Sequence, residues 1–569
     1  MILETKIVSS LTKVFPDEIM GSEFSVASAL KNEPISFQIA FKKTQEVRDP
    51  LTFYIRFESD LDLKFINTYK VGYVPIIHPA PARSDEHFDR KTPGLYPDIL
   101  YRRNNENPVY DEGFWEPQHF EKGERITLTA FDTFQSLWFT VNENSEELTA
   151  GNYNISVVFY SSKDASEIGR ESFKLEIIDK CLVPQDVLNT SWFHVDCLCD
   201  VYGVEMWSDK HFEIIESFVH EAALNGQNMI MLPAFTPPLD TPVGAERKTA
   251  QLVKVNVVDG KYKFDFSLMR RYVDICHRAG ATHFEHSHLF TQWGARCAPK
   301  IMATVDGEEK MIFGWKTDSK SPKYANFLKE YLKELKIFLE ESGIHKNILF
   351  HISDEPMTKH ITYYHNAKEI VKSEIDGYMC GDALSGYEYF ADGTVETPIV
   401  CVSSPDMEKF IKNCDNLWVY NTGDLVYNSM PNRLITTTGA RNRILGTQMY
   451  YTNAKGYLNW ALNFYYGVMC HGVFNPMQNP SGGFSDPGAS YQLYPDPSGV
   501  ALPSTRIKIL NEAFIDNRAL KTLEEMIGRE NVMQLCEKHF GTVNYNFCPT
   551  NDELITFRLK VNSLIKANL

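Results

Sequence analysis

Between residues 190 and 530, short apolar runs alternate with longer helical patterns, and this alternation limits the fold more than any other feature of the chain. The apolar runs are residues 192–198, 228–232, 282–284, 348–352, 378–380, 399–402, 417–420 and 456–461. The clearest helix carries Tyr324, Phe327, Leu328, Tyr331, Leu332, Leu335, Phe338 and Leu339 on one face, and Gly343 closes it. Helical patterns also cover residues 211–224, stopped by Asn225-Gly226, and 268–278, ended by Gly280. Strands separated by helices pair in parallel and bury both faces. About eight such units over this length predict a (β/α)8 barrel of the TIM type. The alternative is an open doubly wound sheet, which would normally place a Gly-rich phosphate loop after its first strand; the sequence has none.

Up to about residue 183 the texture differs. Residues 35–41, 125–130, 153–157 and 173–177 alternate apolar and polar, the pattern of half-buried strands, with no amphipathic helix between them. Two packed antiparallel sheets satisfy that pattern. Residues 92–98, Thr-Pro-Gly-Leu-Tyr-Pro-Asp, read as a polar and aromatic connection. The predicted organisation is therefore multidomain: a β-sandwich over 1–183, a barrel over 184–530 and a short C-terminal helical extension over 531–569, packed on the barrel.

The net charge of -17 repels phosphate backbones and anionic surfaces, so nucleic acid is not an expected partner. No apolar run is long enough to span a bilayer, and no membrane insertion is expected. The first residues lack the apolar core and small-residue site of a signal peptide. The 11 cysteines show no CxxC pair and none precedes Cys181, as expected of reduced, mostly buried thiols in a cytoplasmic protein.

In a barrel the chemistry belongs at the C-terminal ends of the strands. Those ends carry His194 and Asp196; Asp240, with Arg247 behind it; His288, Gln292 and Trp293; Asp354 and Glu355; Asp382; Trp418 and Tyr420; and Trp460 and Asn463. Aromatic faces and polar groups on one rim suit a sugar. Plainer roles exist for several of these residues. Trp418 and Trp460 fit a core, His194 fits a satisfied core histidine, and Asp382 and Asp354-Glu355-Pro356 fit helix starts. His286-x-His288 and His194-x-Asp196, with Glu355 or Asp382, also raise a metal site as an alternative.

Adjacent carboxyls suit most glycosidases poorly, because acid and nucleophile or base flank the scissile bond. They suit a reaction in which the substrate's own 2-acetamido oxygen attacks C1. One carboxylate, Asp354, then holds the acetamido N–H and the charge developing there. The longer Glu355 protonates the leaving oxygen and later activates water. A charged Asp354 is expected to raise the pKa of Glu355.

Phe350-His-Ile-Ser-Asp-Glu-Pro356 resembles the signature of glycoside hydrolase family 123, retaining β-N-acetylgalactosaminidases that use a neighbouring Asp-Glu pair. Residues 235–241 with Gly244-x-Glu-Arg247, residues 287–295, Asn432-Arg433 and Gly456-Tyr-Leu-Asn-Trp-x-x-Asn-Phe464 resemble further family features, in order. The resemblance implies a β-sandwich before a (β/α)8 barrel, catalysis by Asp354 and Glu355, and no cofactor or metal. It implies an exo-acting enzyme that releases terminal β-linked N-acetylgalactosamine from glycans or glycosphingolipids through an oxazoline. The implied sugar contacts are His194, Asp196, Asp240, Arg247, His288, Gln292, Trp293, Asp382, Trp418, Tyr420, Arg433, Trp460 and Asn463. Arg247, His288 and Arg433 are the candidates for reading the axial O4. The competing readings are a metal-dependent barrel hydrolase and a non-catalytic glycan-binding protein; the intact carboxyl pair argues against the second.

Overall fold

The computed structural model describes residues 2–44, 48–102, 126–484 and 486–569. Its N-terminal part contains two five-stranded sheets. One runs Leu3–Ser9, Ile35–Lys43, Gln135–Val141, Ile66–Ile76 and Gly94–Arg102, antiparallel throughout. The other runs Val26–Leu30, Glu167–Ile178, Gly151–Ser161, Leu51–Ser59 and Ile126–Ala130, with its first pair parallel. Arg125 lies outside the described residues. Alternation puts large apolar side chains between the sheets: Phe37 stacks on Phe173 of the opposite sheet at 4.2 Å and on Phe139 of its own at 5.1 Å.

The connection expected at residues 92–98 is instead part of the edge strand Gly94–Arg102. Pro97 within it and Pro93 just before it disguise it, and an edge strand tolerates proline because one row of backbone groups is unpaired. This strand also ties the two parts of the molecule together. Asp98 is fully buried and pairs with Arg506 of a barrel helix, Nη2 to Oδ2 at 3.0 Å. Around it Tyr69, Val71, Leu100 and Trp138 pack against Ala440, Ile444 and Ile509 of the barrel's helices. This face of the sandwich is a packing surface.

Eight parallel strands close the barrel: Leu188–Ser191, Met229–Leu232, His283–His286, Ile348–Phe350, Met379–Leu384, Thr397–Cys401, Trp418–Tyr420 and Gly456–Asn459. The last pairs with the first. Helices Asp209–Leu224, Ser267–Ala279, Pro322–Glu341, Ile361–Ile375, Met407–Asn413, Gly439–Thr452 and Thr505–Ile527 fall in the connections and after the last strand. A short helix, Glu388–Ala391, lies between the fifth and sixth strands.

Two features differ from the sequence reading. The first strand is Leu188–Ser191, and residues expected to continue it form the helix Val195–Tyr202. Val195, Leu198, Cys199 and Tyr202 in fact follow helical spacing, and Gly203 ends the helix at φ 63°. His194 and Asp196 therefore do not share a strand face. The second is a four-stranded sheet, of Lys254–Val258, Lys261–Asp265, Ile301–Val305 and Glu308–Phe313, drawn from the connections after the second and third barrel strands. Two Asp-Gly turns signal it: Asp259-Gly260 and Asp306-Gly307 all have positive φ, as two-residue hairpins require.

The C-terminal helices Arg529–Phe540 and Asn551–Ala567 pack on the barrel helix Thr505–Ile527 and also reach the sandwich. Arg558 bonds Glu33 at 2.7 Å, and Asn562 donates to the Ser28 carbonyl at 2.8 Å. All 11 cysteines are free thiols. Among the described residues no helix is long and apolar enough to cross a membrane.

Candidate active site

Where the fourth strand ends at Phe350, the loop after the third strand runs alongside the chain and holds it. Leu289, Phe290 and Trp293 donate their N–H groups to the carbonyls of His351, Ile352 and Asp354 at 3.0, 3.0 and 2.7 Å. Ser353 donates its hydroxyl to the Thr291 carbonyl at 2.9 Å and accepts from the Ala295 N–H at 3.0 Å. This clamp fixes Asp354 and brings Trp293, half-buried, beside it. The clamping loop turns sharply: Trp293, Gly294 and Ala295 all have positive φ. At Glu355 the chain reverses through φ 41°, a conformation that costs a residue with a Cβ about 1–3 kcal/mol. The next helical turn is Thr358–His360, so Asp354 and Glu355 do not cap a helix.

Both carboxyls are half-buried at the barrel mouth. Tyr420, at the end of the seventh strand, donates its hydroxyl to Glu355 Oε1 at 2.5 Å. Burial raises the pKa of Asp354 well above the usual carboxylate range, the charges of Glu355 and Asp382 add to the rise, and His351 opposes it. Sequence reasoning put the upward shift on Glu355; the surroundings put one on Asp354.

Beneath the pair lies a buried polar layer. Asp382 sits within the fifth strand and caps no helix. Its oxygens accept the N–H groups of Ile352, at 3.1 Å, and Ser353, at 3.3 Å, and the Tyr364 hydroxyl. His351 places Nδ1 3.2 Å from Asp382 and Nε2 3.6 Å from Glu285. Burial alone would depress His351, but these two carboxylates overcome it and push its pKa up to about 10. Its ring stacks on His288 at 4.6 Å. Burial, and then the charge of His351, hold His288 neutral. Glu285, His351 and Tyr364 were not among the residues singled out from sequence. The available signal was a charged residue, Glu285, inside a short apolar strand.

His288, His351 and Asp382 offer donor atoms within 4.8 Å of one another, close enough to share a cation. Their chemistry does not fit one well. Asp382 already accepts several hydrogen bonds, and His351 Nδ1 is turned to that same carboxylate. His286 points elsewhere, bonding the Tyr331 hydroxyl at 2.7 Å and the Ser287 carbonyl at 2.6 Å, so His286-x-His288 is not a paired ligand set.

The remaining residues form supports around the mouth. Arg247 grips Asp196 with Nε and Nη2, at 2.5 and 2.8 Å, bonds His194 Nδ1 at 2.8 Å and donates to the Leu239 carbonyl at 3.0 Å. Burial opposes the charge on Asp196, but the guanidinium holds its pKa below the usual value. Burial and Arg247 depress His194 to about 3, and the ring's Nε2 donates to the Trp460 carbonyl at 3.0 Å. Asn463 bonds both the N–H and the carbonyl of His194, at 2.8 and 3.1 Å. This network is buried and satisfied; it orients Trp460, which stays half-buried over Phe464 and Phe484.

Gln292 spends its amide on the Asp240 N–H and the Thr241 carbonyl, at 2.8 and 2.9 Å, joining the loops after the second and third strands. Asp240 in turn accepts the Met469 N–H at 2.9 Å, and burial lifts its pKa to about 6. Arg433 is buried against Asn459, where burial lowers its pKa to about 10. Trp418 is 0% exposed in the barrel interior, with no face open to a sugar. Of the residues named from sequence, Glu355 and Tyr420 meet side chain to side chain beside Asp354, and Trp293 is tied to Asp354 through its backbone N–H. Asp382 and His288 lie in the layer below, Trp418 lies in the barrel interior, Trp460 stays half-buried, and the others are held in the supporting networks.

A closed parallel barrel with paired acids at the end of its fourth strand is an arrangement open to a barrel hydrolase. The sequence profile of the glycoside hydrolase 123 catalytic domain matches residues 192–523, more than half of the chain. The chain belongs to glycoside hydrolase family 123. Among solved structures it resembles a family 123 glycoside hydrolase from Clostridium perfringens, examined for glycolipid glycan hydrolysis, at TM-score 0.70 and 14% identity, over 100% of this chain and 98% of that one. More distant likenesses are a β-glucuronidase from Bacteroides uniformis (TM-score 0.28, 9% identity, 88% of this chain and 49% of that one). A xylanase fragment from Clostridium thermocellum follows (TM-score 0.30, 6% identity, 90% and 94%). No curated protein sequence matches the chain.

Proposed function

We propose that this glycoside hydrolase is an exo-acting, retaining β-N-acetylgalactosaminidase that releases terminal β-linked N-acetylgalactosamine by substrate-assisted catalysis. Residues 184–530 are then its (β/α)8 catalytic barrel, 1–183 a sandwich scaffold and 531–569 a helical extension. The observation that carries the reading is the adjacency of Asp354 and Glu355 on one clamped segment, with Glu355 on left-handed backbone. Two neighbouring carboxyls reach one side of a glycosidic bond, so the opposite face must be attacked by something the substrate brings. The 2-acetamido oxygen is placed to do that. Its attack on C1 forms the C1–O bond of an oxazoline as the glycosidic C–O bond breaks.

Asp354 accepts the acetamido N–H and balances the positive charge of the ring that forms. Burial favours the protonated form of Asp354. A hydrogen bond from the acetamide favours its ionised form. The proton kept by the pair then resides on Glu355, which gives it to the leaving oxygen. In the second step Glu355 takes a proton from the water that opens the oxazoline, restoring the acid and the anomeric configuration. Trp293 and Trp460, half-buried at the mouth, supply ring faces for the sugar. The Clostridium perfringens relative, described for glycolipid glycan hydrolysis, favours glycosphingolipid glycans as the substrate class.

The test is release of 4-nitrophenol from its β-N-acetylgalactosaminide and β-N-acetylglucosaminide, with and without EDTA. The proposal expects EDTA-resistant turnover of the galacto compound and a retained product anomer by NMR. Preference for the gluco compound overturns the specificity. Loss with EDTA transfers the case to a metal-dependent hydrolase. Binding without turnover transfers it to a glycan-binding protein.

A further inference from the structure

We infer that His351 is a positioning residue: a buried imidazolium clamped between Glu285 of the third barrel strand and Asp382 of the fifth, anchoring the segment that carries Asp354 and Glu355 and placing a positive charge beneath Asp354. The inference rests on the reading of that pair as catalytic.

Each ring nitrogen faces a buried carboxyl group, an arrangement that suits a doubly protonated ring. Nδ1 faces Asp382 Oδ1 at 3.2 Å and Nε2 faces Glu285 Oε2 at 3.6 Å. A neutral imidazole carries one N–H, so it would turn a lone pair toward one of the two carboxylates. Glu285 is 0% exposed, and neither of its oxygens accepts a hydrogen bond among the described residues. Its facing cation is His351. Without that charge a buried, unpaired carboxylate would remain inside the barrel, which is costly.

The remaining neighbours of His351 do not replace it. His288, on the loop after the third strand, stacks on its ring and is held neutral. Trp192, after the first strand, meets it edge-on at 6.3 Å. Tyr364, from the helix after the fourth strand, bonds Asp382 on its other oxygen. Asp354, on the same segment, is the acid that feels the charge.

Two consequences reach the reaction. First, Asp382 holds the N–H groups of Ile352 and Ser353, and its own place is set by His351 and Tyr364. The imidazolium therefore helps fix where Asp354 begins. Second, the charges of Glu355 and Asp382 favour the protonated form of Asp354 while His351 favours the ionised form. Catalysis needs Asp354 ionised, to accept the acetamido N–H. Removing the charge on His351 makes Asp354 hold its proton to higher pH, so the acidic limb of the kcat/KM profile moves up. An opposite charge within about 4–6 Å is worth about one to three pKa units.

Nitrogen-15 NMR of histidine-labelled protein tests the charge directly. One ring should have both nitrogens protonated at pH 7.5 and lose a proton only near pH 10. That signal should vanish in His351→Gln and titrate lower in Glu285→Gln. In kinetics, His351→Gln should move the acidic limb up by about one unit or more. Its kcat should fall more than its KM changes, and His351→Lys, which restores a positive charge, should move the limb back. A neutral His351 ring at pH 7.5 overturns the inference, as does a His351→Gln enzyme slowed equally at every pH. If His351→Gln does not fold, the wild-type and Glu285→Gln spectra still decide the charge. If the wild-type enzyme hydrolyses neither glycoside, the functional reading fails, and the spectra decide the imidazolium independently.

Discussion

Tyr420→Phe is the sharpest probe of the catalytic geometry. The ring of Tyr420 packs in the barrel interior with Trp192, Met231, Leu349 and Leu458 and is 8% exposed, so phenylalanine preserves the packing and removes one hydroxyl. That hydroxyl is the side-chain donor to Glu355 Oε1, at 2.5 Å. A hydrogen bond to the carboxylate that develops as Glu355 gives up its proton is worth about 1.5–3 kcal/mol. Glu355 also stands on a left-handed backbone, so the segment relies on such anchors to hold the carboxyl at the glycosidic oxygen. If the whole bond energy is realised in positioning at the transition state, kcat/KM falls by about 10–150-fold. The assay is steady-state hydrolysis of a β-N-acetylgalactosaminide with a poor leaving group, where proton donation limits the rate. Thermal denaturation is run in parallel and should show little change. A folded Tyr420→Phe enzyme with kcat/KM within about threefold of wild type would refute the claim that this bond positions the acid.

Glu355→Gln should cost about 100–10,000-fold on a natural glycan. On the 4-nitrophenyl glycoside the first step should lose much less, because that leaving group needs no proton; equal losses on both would remove Glu355 from the acid role. Asp98→Asn leaves the buried guanidinium of Arg506 without its counter-charge. It should destabilise the joint between sandwich and barrel by about 3–5 kcal/mol, read as a lower denaturant midpoint. Glu512 lies buried beside Arg443, but the guanidinium gives Nε and Nη2 to Asp516 and one Nη1 bond to Glu512, and burial lifts Glu512 to about 7. A carboxyl raised on folding favours the native state below its unfolded pKa, and that contribution disappears as pH rises through the folded one. Stability should therefore decline from about pH 5 to pH 8, and Glu512→Gln should flatten the slope; an unchanged slope would place the titration elsewhere.

Seven of the eight barrel strands overlap an apolar run of the sequence, because a strand buried on both faces needs no polar side. The first was misplaced because residues 192–198 are apolar enough for a strand while also carrying helical spacing, and periodicity over so short a run does not separate the two. The inserted sheet was legible in principle, from two Asp-Gly turns between short alternating runs. The edge strand Gly94–Arg102 was obscured by prolines whose tolerance depends on its having one neighbour, a property of the sheet and not of the segment.

The Asp354-Glu355 pair stood out in the sequence because acids seldom follow a buried strand so closely without a purpose. The layer beneath it did not, and the cause is pairing. Asp196 and Arg247 lie 51 positions apart, and His351 and Asp382 lie 31 apart. Alone, each reads as a polar group at a strand end, free to meet a ligand. In space each has its counter-charge and its hydrogen bonds filled, so Arg247 holds Asp196 and His194 where a sugar contact was expected, and Asp382 holds the backbone of Ile352 and Ser353. A barrel mouth needs such supports because its reacting groups sit on chain that has left the sheet. Here the segment carrying Asp354 and Glu355 gains from buried charges the rigidity that a strand would have gained from its neighbours. Polar residues at strand ends thus include both those that touch substrate and those that hold the others still, and only their partners distinguish them.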